Sequence, residues 1–170
     1  MKNLWNEEEA AVCGDDPLAL RVYSSRLIGC ASDLVLHGGG NTSVKAEFTD
    51  IFGACHEVLY VKGSGWDLAT IEAAGFSPVA LDALMQLSRF DVLSDADMVR
   101  AQRAAMLDPG APNPSVEAIL HALIPFRFVD HTHADAVVTL TNTPGGEARI
   151  RELYGDRLLV VPYVMPGFVL

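Results

Sequence analysis

Three consecutive glycines, Gly38 to Gly40, divide the chain more sharply than any other feature of the sequence. A helix does not continue through such a run, because glycine loses the most backbone freedom on ordering and readily adopts positive φ angles. Before the run, residues 16–34 have apolar residues at helical spacing, with Asp16 and Pro17 as the start. After it, residues 42–48 have the character of a strand. The glycines therefore predict a junction between a helix and a strand.

The rest of the chain alternates between helical and strand-like segments. A second strand at 57–63 follows a turn-forming loop at 50–54, which predicts a hairpin. We expect further helices at 78–87, 95–106, 115–124 and 146–154, a break at 109–114, and further strands at 126–130 and 157–163. Helices that alternate with strands and cover a sheet define the α/β class.

Length and charge limit the partners of the chain. The 170 residues, half of them apolar, fit one domain that spans residues 1–170. The 22 acidic residues outnumber 12 Lys and Arg residues, and the net charge of -10 disfavours a nucleic acid partner. A small anion in a local pocket is still compatible with this charge, because a few backbone N–H groups can dominate the field nearby.

The spacing of the cysteines and the composition of the N-terminal segment indicate the cellular compartment of the protein. Cys13, Cys30 and Cys55 are widely spaced and odd in number, which predicts reduced thiols. The N-terminal segment is acidic and does not resemble a secretory signal. No apolar run approaches the roughly 18 residues that span a bilayer. We therefore expect a cytoplasmic protein without a membrane partner.

The last residues, 158–170, are mostly apolar. Chain ends are usually polar and solvated. We therefore expect that the domain is incomplete at its C-terminus and that the functional unit continues beyond Leu170.

His131 and His133 form a His-x-His pair at the end of an apolar run. In an extended segment, residues i and i+2 face the same side about 6.5–7 Å apart, so both imidazoles can reach one ion at about 2.1 Å. The alternative is that one histidine is a hydrogen-bonded core residue and the other lies at the surface. For an isolated pair this alternative is favoured, since tetrahedral zinc needs further ligands.

The segment Pro-Ser-Val-Glu at 114–117 supplies a further candidate ligand or base. Pro114 and Ser115 indicate a helix start, with Glu117 in the first turn and His121 one turn later on the same face. The helix dipole alone also explains a glutamate at this position. Because only a short connection separates this helix from the strand before the histidines, we expect Glu117 near the metal, where a carboxylate can transfer protons.

Two glycine-rich loops, at 37–45 and 61–66, can form anion-binding nests of backbone N–H groups. Either loop alone is equally well explained as a simple turn between a helix and a strand. Together with a serine at a helix N-terminus they are typical of a phosphate cradle.

The order of these motifs resembles the class II aldolase/adducin family. The resemblance runs from about Leu18 to Leu170 and rests on Gly-Gly-Asn-Thr-Ser at 39–43, Gly-Ser-Gly at 63–65, Pro-Ser-Val-Glu-Ala-Ile-Leu-His at 114–121 and His-Thr-His-Ala at 131–134. The chain is most similar to sugar-phosphate aldolases, in particular to the aldolase part of bifunctional proteins that carry a short-chain dehydrogenase after it. The resemblance implies a three-layer α/β/α domain with a central mixed sheet, in a homo-oligomer that is commonly a tetramer.

The resemblance also implies roles for individual residues. His131 and His133 would bind Zn2+ or another divalent metal, Glu117 would be the catalytic acid/base, and the phosphate of a small phosphorylated sugar would contact Asn41, Ser64, Gly65 and Ser115. Lys62 and Lys45 would help electrostatically, and His121 would orient or pack.

The implied reaction is the cleavage of a ketose 1-phosphate to dihydroxyacetone phosphate and an aldehyde. The metal would stabilise an enediolate, which Glu117 would protonate, and in the synthetic direction Glu117 would abstract the proton. We expect partial desolvation to raise the pKa of Glu117 so that it can act near neutral pH.

Two positions depart from the family pattern. Members have a third zinc histidine well after the His-x-His pair, and no histidine follows His133 here. Either Glu117 completes the ligand set or the missing ligand lies beyond Leu170, and the apolar end of the chain favours the second. Val116 stands where some relatives have another phosphate-binding serine.

Three other functions fit parts of the sequence. A 4-epimerase of the same family uses related chemistry and is not separated from an aldolase by sequence. A non-catalytic, adducin-like assembly module is disfavoured by the presence of His131, His133 and Glu117 together. A hydrolase of the metallo-β-lactamase type would explain His-Thr-His-Ala-Asp at 131–135, but Ala136 replaces the last histidine of that signature.

Overall fold

The structure of the chain is a computed structural model that describes residues 2–165 and 167–169. The described residues form seven α-helices and four β-strands. In chain order these are α1 (Glu7–Ala11), α2 (Pro17–Gly29), β1 (Asn41–Thr49), β2 (Cys55–Lys62), β3 (Phe76–Ala80), α3 (Leu81–Leu87), α4 (Asp95–Ala104), α5 (Ala118–Leu123), β4 (Phe128–His131), α6 (Asp135–Thr141) and α7 (Gly146–Tyr154). Within the described ranges, no helix combines the length and apolar character needed to span a bilayer.

The four strands form one sheet in the order β3-β2-β1-β4, and each neighbouring pair is antiparallel. The predicted hairpin is confirmed as β1 and β2, in which Ser43 lies opposite Val61. The mixed sheet that the resemblance implied is not formed by these four strands. The reason lies in the connection from β3 to β4. The chain leaves β3 and enters β4 at the same end of the sheet, so β4 runs antiparallel to β3 and also to its neighbour β1. A parallel pair would need a crossover to the opposite end.

Helices cover both faces of the sheet. On one face, the hydroxyl of Thr42 hydrogen-bonds Ser25 of α2 at 2.8 Å, and on the other the hydroxyl of Ser43 hydrogen-bonds His121 of α5 at 2.8 Å. Each face has its own apolar cluster. The α2 side buries Val35, Leu68, Ile71 and Phe76, and the α5 side buries Leu59, Val61, Val79, Leu84, Met98, Ala118, Ile119 and Ala122. Each large side chain buried in this way stabilises the fold by about 1.5–3 kcal/mol. The α/β class and its three layers are therefore confirmed.

The first predicted helix begins where the sequence places its cap. Asp16 Oδ1 accepts hydrogen bonds from the backbone N–H groups of Leu18 and Ala19 at 2.8 and 3.2 Å, and Pro17 occupies the first helical position. These bonds satisfy N–H groups that have no partner within the helix. The helix ends at Gly29 rather than continuing to residue 34, and a short irregular segment leads from there to the glycine run.

The predicted helix at 78–87 was wrong in its first part. Phe76–Ala80 forms β3, and α3 begins only at Leu81. The backbone of β3 pairs with β2, with Pro78 opposite Tyr60 and Val79 opposite Leu59. Proline is compatible with this strand because β3 lies at the edge of the sheet, where its outer side pairs through an isolated bridge between Val79 and Met106 rather than a full ladder.

The predicted strand at 157–163 is also wrong. Within this described segment the chain makes a short 3-10 turn, Gly155–Arg157, and then irregular structure. Its apolar residues have no neighbouring strand there to supply the ladder of hydrogen bonds that a strand requires. Two short helices, α1 and α6, were not expected from the sequence. The helix at Gly146–Tyr154 is confirmed, and all three cysteines carry free thiols.

Candidate functional site

Glu117 is the residue on which three parts of the fold converge. It immediately precedes α5. Its Oε2 atom accepts a hydrogen bond from Asn41 Nδ2 at 2.9 Å and lies 3.1 Å from Nδ1 of His131. Asn41 and His131 are directly opposite each other at the ends of β1 and β4. The strand pairing thus delivers both side chains to one carboxylate oxygen.

His133 lies beside His131, as the His-x-His spacing predicts. The centroids of the two imidazole rings are 4.9 Å apart, with the rings tilted by 57°. His133 follows the end of β4, and its backbone N–H donates to the carbonyl of Leu34 at 2.9 Å. A Cβ atom at Gly39 would lie 3.4 Å from Nδ1 of His133, so the glycine run borders this ring. The two predicted metal ligands therefore lie side by side.

His121 adds a further nitrogen to this group. Its side chain is 1% exposed, and its Nδ1 atom is 2.8 Å from Oγ of Ser43. One ligand atom each from Glu117, His121 and His131 lie within 4.8 Å of one another. Sequence reasoning assigned His121 only an orienting or packing role. Its spacing of four residues from Glu117 on one helix was the signal that it shares this site.

The donor atoms fit a divalent metal. Imidazole nitrogens and a carboxylate oxygen are the ligands that zinc takes in proteins. Burial, which outweighs the opposing charge of Glu117, lowers the pKa of His121 to about 4, so its ring is neutral at physiological pH. Asn41 Oδ1 is buried without a hydrogen-bond partner among the described residues. Such an acceptor is rare in a folded interior and is common at sites that bind a further group.

The expected rise in the pKa of Glu117 is contradicted. Burial acts to raise this pKa, but hydrogen bonds from His131 and Asn41, together with the nearby charge of His131 and His121, lower it to about 2. Hydrogen bonding to the charged form of a carboxylate favours that form. Sequence alone predicted the burial of Glu117 but not the two donors that face it.

A cavity of about 270 Å³ opens next to Glu117 and is lined by both glycine-rich loops. Among its lining residues are Lys62, Ser64, Gly65, Ser115, Glu117, His131 and His133. The backbone N–H of Ser64 donates to Asn113, and that of Ser115 donates to Lys62. These two backbone donors are therefore already used, and the hydroxyl of Ser115 also contacts Glu117, donating to its Oε2 at 3.4 Å and accepting from its backbone N–H at 3.3 Å. Asn41 does not line the cavity but lies behind Glu117, 1% exposed.

The two lysines predicted to help electrostatically occupy different places. Lys62 is 5% exposed, lines the cavity, and donates from Nζ to the carbonyl of Gly38 at 3.1 Å. Burial lowers the pKa of Lys62, against the opposing charges of Glu117 and Asp67. Lys45 instead donates to the carbonyls of Ile124 and Phe126 beyond the end of α5. Lys62 is thus the lysine available to an anion in the cavity.

Comparison with known proteins identifies the family of the chain. The chain is 42% identical over 170 residues to the uncharacterized oxidoreductase YuxG of Bacillus subtilis strain 168, and it spans 24% of the length of that protein. It superposes with a TM-score of 0.89 and 42% identity on the N-terminal class II aldolase domain of a conserved protein from Thermoplasma acidophilum, covering 99% of this chain and 76% of that one. The model of the class II aldolase and adducin N-terminal domain matches residues 21–170. The chain therefore belongs to the class II aldolase/adducin family.

Proposed function

We propose that residues 1–170 form one domain that catalyses the reversible cleavage of a ketose 1-phosphate to dihydroxyacetone phosphate and an aldehyde. The observation that carries this proposal is the convergence of Asn41 and His131 on Glu117, beside His133 and at the wall of a cavity lined by Lys62. A proton-transfer group, a metal-binding pair and a site for an anion are the parts that such a reaction needs.

His131 and His133 would hold the metal, zinc or another divalent ion, with Glu117 next to it. When bound, the metal supplies a Lewis acid that polarises the substrate oxygens. The ligand cluster of Glu117, His121 and His131 supports a metal at this place, and neutral imidazoles are the form in which histidine binds metals.

Glu117 would move the proton. With its pKa near 2 the carboxylate is ionised at neutral pH and is in the form that accepts a proton, although a base of higher pKa would accept it more strongly. In the condensation direction it takes the proton from the carbon next to the carbonyl of dihydroxyacetone phosphate. In the cleavage direction it accepts the proton that the substrate hydroxyl group releases as the carbon–carbon bond breaks, and it delivers a proton to that carbon. Asn41 would hold Oε2 in place for both steps.

The glycine loops would bind the phosphate. Lys62 supplies a cation, and Ser64 and Ser115 supply hydroxyl donors around the same cavity. Hydrogen bonds between charged groups are the strong ones, so one buried lysine can hold a phosphate within a chain of net charge -10. The longer relative named as an oxidoreductase is consistent with a further domain in the full-length protein, which we propose to be a dehydrogenase after this one, and we also propose a homo-oligomer, as the resemblance implies.

The test combines metal analysis with a coupled assay for the release of dihydroxyacetone phosphate by the full-length protein. We expect the wild type to bind a divalent metal and cleave a ketose 1-phosphate, and His133→Ala to lose both properties. Glu117→Gln should keep the metal and lose cleavage. His56→Ala is the matched control, because His56 contacts Asp50 at the turn of the hairpin rather than the site.

Other outcomes would replace the proposal. Metal binding with hydrolysis of esters or lactams would identify a hydrolase, and epimerisation of a pentulose phosphate without cleavage would identify an epimerase. A full-length protein that binds no metal would be an assembly module of the adducin kind.

A further inference from the structure

Arg21 is a buried cation that connects α2 to two strands. Its side chain is 1% exposed, although arginine is rarely buried so completely. Nε donates to Oγ of Ser25 at 3.1 Å, and NH2 lies 2.6 Å from Oδ1 of Asp130. NH1 donates to the backbone carbonyls of Ser43 and Val129 at 3.3 and 3.4 Å. One guanidinium therefore holds β1 and β4 at the same time.

The two carbonyls bound by Arg21 belong to one rung of the sheet. Ser43 and Val129 are directly opposite each other in the β1–β4 ladder, and Asn41 and His131 are opposite each other two residues further along. Residues two apart in a strand face the same side. Arg21 therefore holds the Ser43–Val129 pair. This is the nearest pair in the ladder whose side chains face the same sides of the sheet as those of Asn41 and His131.

The register of β4 rests on few contacts, namely those of Arg21, the burial of Val129, and backbone hydrogen bonds from Lys45 to Arg127 and from His133 to Leu34. This strand has four residues and pairs with β1 alone among the described strands. A slip of one residue would turn His131 to the α2 face and Asp130 to the α5 face, because side chains alternate between faces. In the observed register Asp130 faces Arg21, and His131 faces Glu117.

We infer that Arg21 is a positioning residue for His131 and Asn41: by binding both strands and Asp130 across the sheet, it fixes the register in which these two side chains meet Glu117. This inference deepens the proposed function and rests on it for its catalytic meaning. Burying the Arg21 cation costs desolvation free energy that its pairing with the half-exposed Asp130 offsets only in part, so stability alone is a poor reason for Arg21. Lysine cannot replace it, because only the planar guanidinium reaches all of these acceptors at once.

The experiment compares Arg21→Met and Arg21→Lys with Arg26→Met in the full-length protein. Arg26 lies on the same helix and also donates to a backbone carbonyl, that of Ile71, at 2.8 Å, but it contacts neither β1 nor β4. The readouts are the affinity for Co2+, followed by its absorption spectrum, and the crystal structure of each metal-free variant. The unfolding free energy of each variant is measured alongside.

We expect both Arg21 variants to bind Co2+ about 10- to 100-fold more weakly, the range typical of residues that orient a ligand, whereas Arg26→Met stays close to the wild type. In the metal-free crystals we expect the contact between His131 Nδ1 and Glu117 Oε2 to be broken in the Arg21 variants only. Arg21→Lys retains the charge and serves if Arg21→Met does not fold.

Two results would overturn the inference: an intact contact between His131 and Glu117 in the Arg21 variants, or an equal loss of Co2+ affinity in Arg26→Met at matched stability. If the wild type binds no Co2+, the proposed function fails, while the crystal structures still decide whether Arg21 sets the register.

Discussion

Asn41 lies directly opposite His131 at the end of the β1–β4 ladder, and both side chains contact the same oxygen of Glu117. A single pairing between two strands therefore sets both the position of the carboxylate and its charge. Loss of either contact would move the pKa of Glu117 upwards, because burial, already the largest single influence, raises it and one of the opposing hydrogen bonds would be gone. Asn41 is thus the simplest place to test whether the site is organised around an ionised Glu117.

The Asn41→Asp substitution keeps the shape of the side chain but places a second carboxylate against Glu117. We expect a loss of about 3 kcal/mol or more of unfolding free energy at pH 7, because one of two buried like charges is left uncompensated. Urea denaturation measures the change, with Asn142→Asp at the exposed end of α6 as the control. An Asn41→Asp protein as stable as the wild type would mean that Glu117 is not ionised.

A second prediction separates two possible ligand sets for the metal. Substituting His131 or His133 with alanine should weaken divalent metal binding by more than about 100-fold, beyond the effect of losing an outer contact. His121→Gln should weaken it by less than about tenfold, because Nδ1 of His121 already contacts Ser43. Competition with a chromogenic chelator measures all three. If His121→Gln has the larger effect and His133→Ala the smaller, the metal lies between Glu117, His121 and His131.

Much of the fold could be predicted from local signals. The capped start of α2, the hairpin and the helix at Gly146–Tyr154 each depend on residues that are close in the sequence. Errors occurred where distant pairing decides the structure. Residues 76–80 form a strand because β2 lies next to them, and residues 157–163 do not because no strand does in the described part. Apolar runs of this length do not reveal their neighbours.

The candidate site shows the same division. Spacing alone indicated that His131 and His133 act together, and the short connection after α5 indicated that Glu117 lies near them. The sequence did not indicate that Asn41 turns towards Glu117 rather than the cavity, or that Lys62 and not Lys45 reaches the cavity. The first fact follows from the face of β1 that α5 covers, and the second from position along the strands, since Lys62 ends β2 whereas Lys45 lies in the middle of β1. Only the assembled sheet determines both.

A third prediction concerns the two lysines. Lys62→Met should raise the KM for the sugar phosphate by about 10- to 100-fold, as expected for the loss of one charge-assisted hydrogen bond, with a smaller effect on kcat. Lys45→Met is the matched control. It should lower stability, because the carbonyls of Ile124 and Phe126 lose their donor, but leave KM near the wild-type value. An unchanged KM in Lys62→Met would show that the phosphate binds elsewhere.

The pH dependence of folding provides a fourth prediction. Burial lowers the pKa of His121 from 6.5 to about 4 in the folded chain. The unfolded state therefore binds a proton first as the pH falls, so this contribution to stability is complete above pH 6.5 and is lost as the pH falls towards 4. Between pH 7 and pH 4.5, we expect a loss of about 2–3 kcal/mol through His121.

Urea denaturation at several pH values gives the unfolding free energy of the wild type and of His121→Gln. The loss through His121 is the difference between the two slopes of unfolding free energy against pH. The comparison stops at pH 4.5 because Glu117, whose pKa is lowered from 4.5 to about 2, contributes its own loss below that value. Parallel slopes for the two proteins would mean that His121 is as easily protonated in the folded chain as in the unfolded one.

The last prediction uses a glycine next to the site. Gly40 has a φ of +68°, and a Cβ atom there would lie 2.5 Å from Cγ1 of Val35 and 2.9 Å from the backbone oxygen of His131. Gly14 has a φ of +56°, and a Cβ atom there would meet nothing within 4 Å. Alanine at Gly14 introduces only backbone strain, about 1–2 kcal/mol. Alanine at Gly40 adds overpacking of about 1–3 kcal/mol.

Because one of the two close neighbours of Gly40 is the backbone of His131, the added methyl group should displace that residue as well as the side chain of Val35. We therefore expect Gly40→Ala to lower both the unfolding free energy and the affinity for a divalent metal, and Gly14→Ala to lower only the first. Denaturation and metal titration of the two variants separate the effect of backbone strain at the glycine from the effect of displacing His131. Equal stability and equal metal affinity in the two variants would show that His131 can move away from Gly40 without disturbing its contact with Glu117.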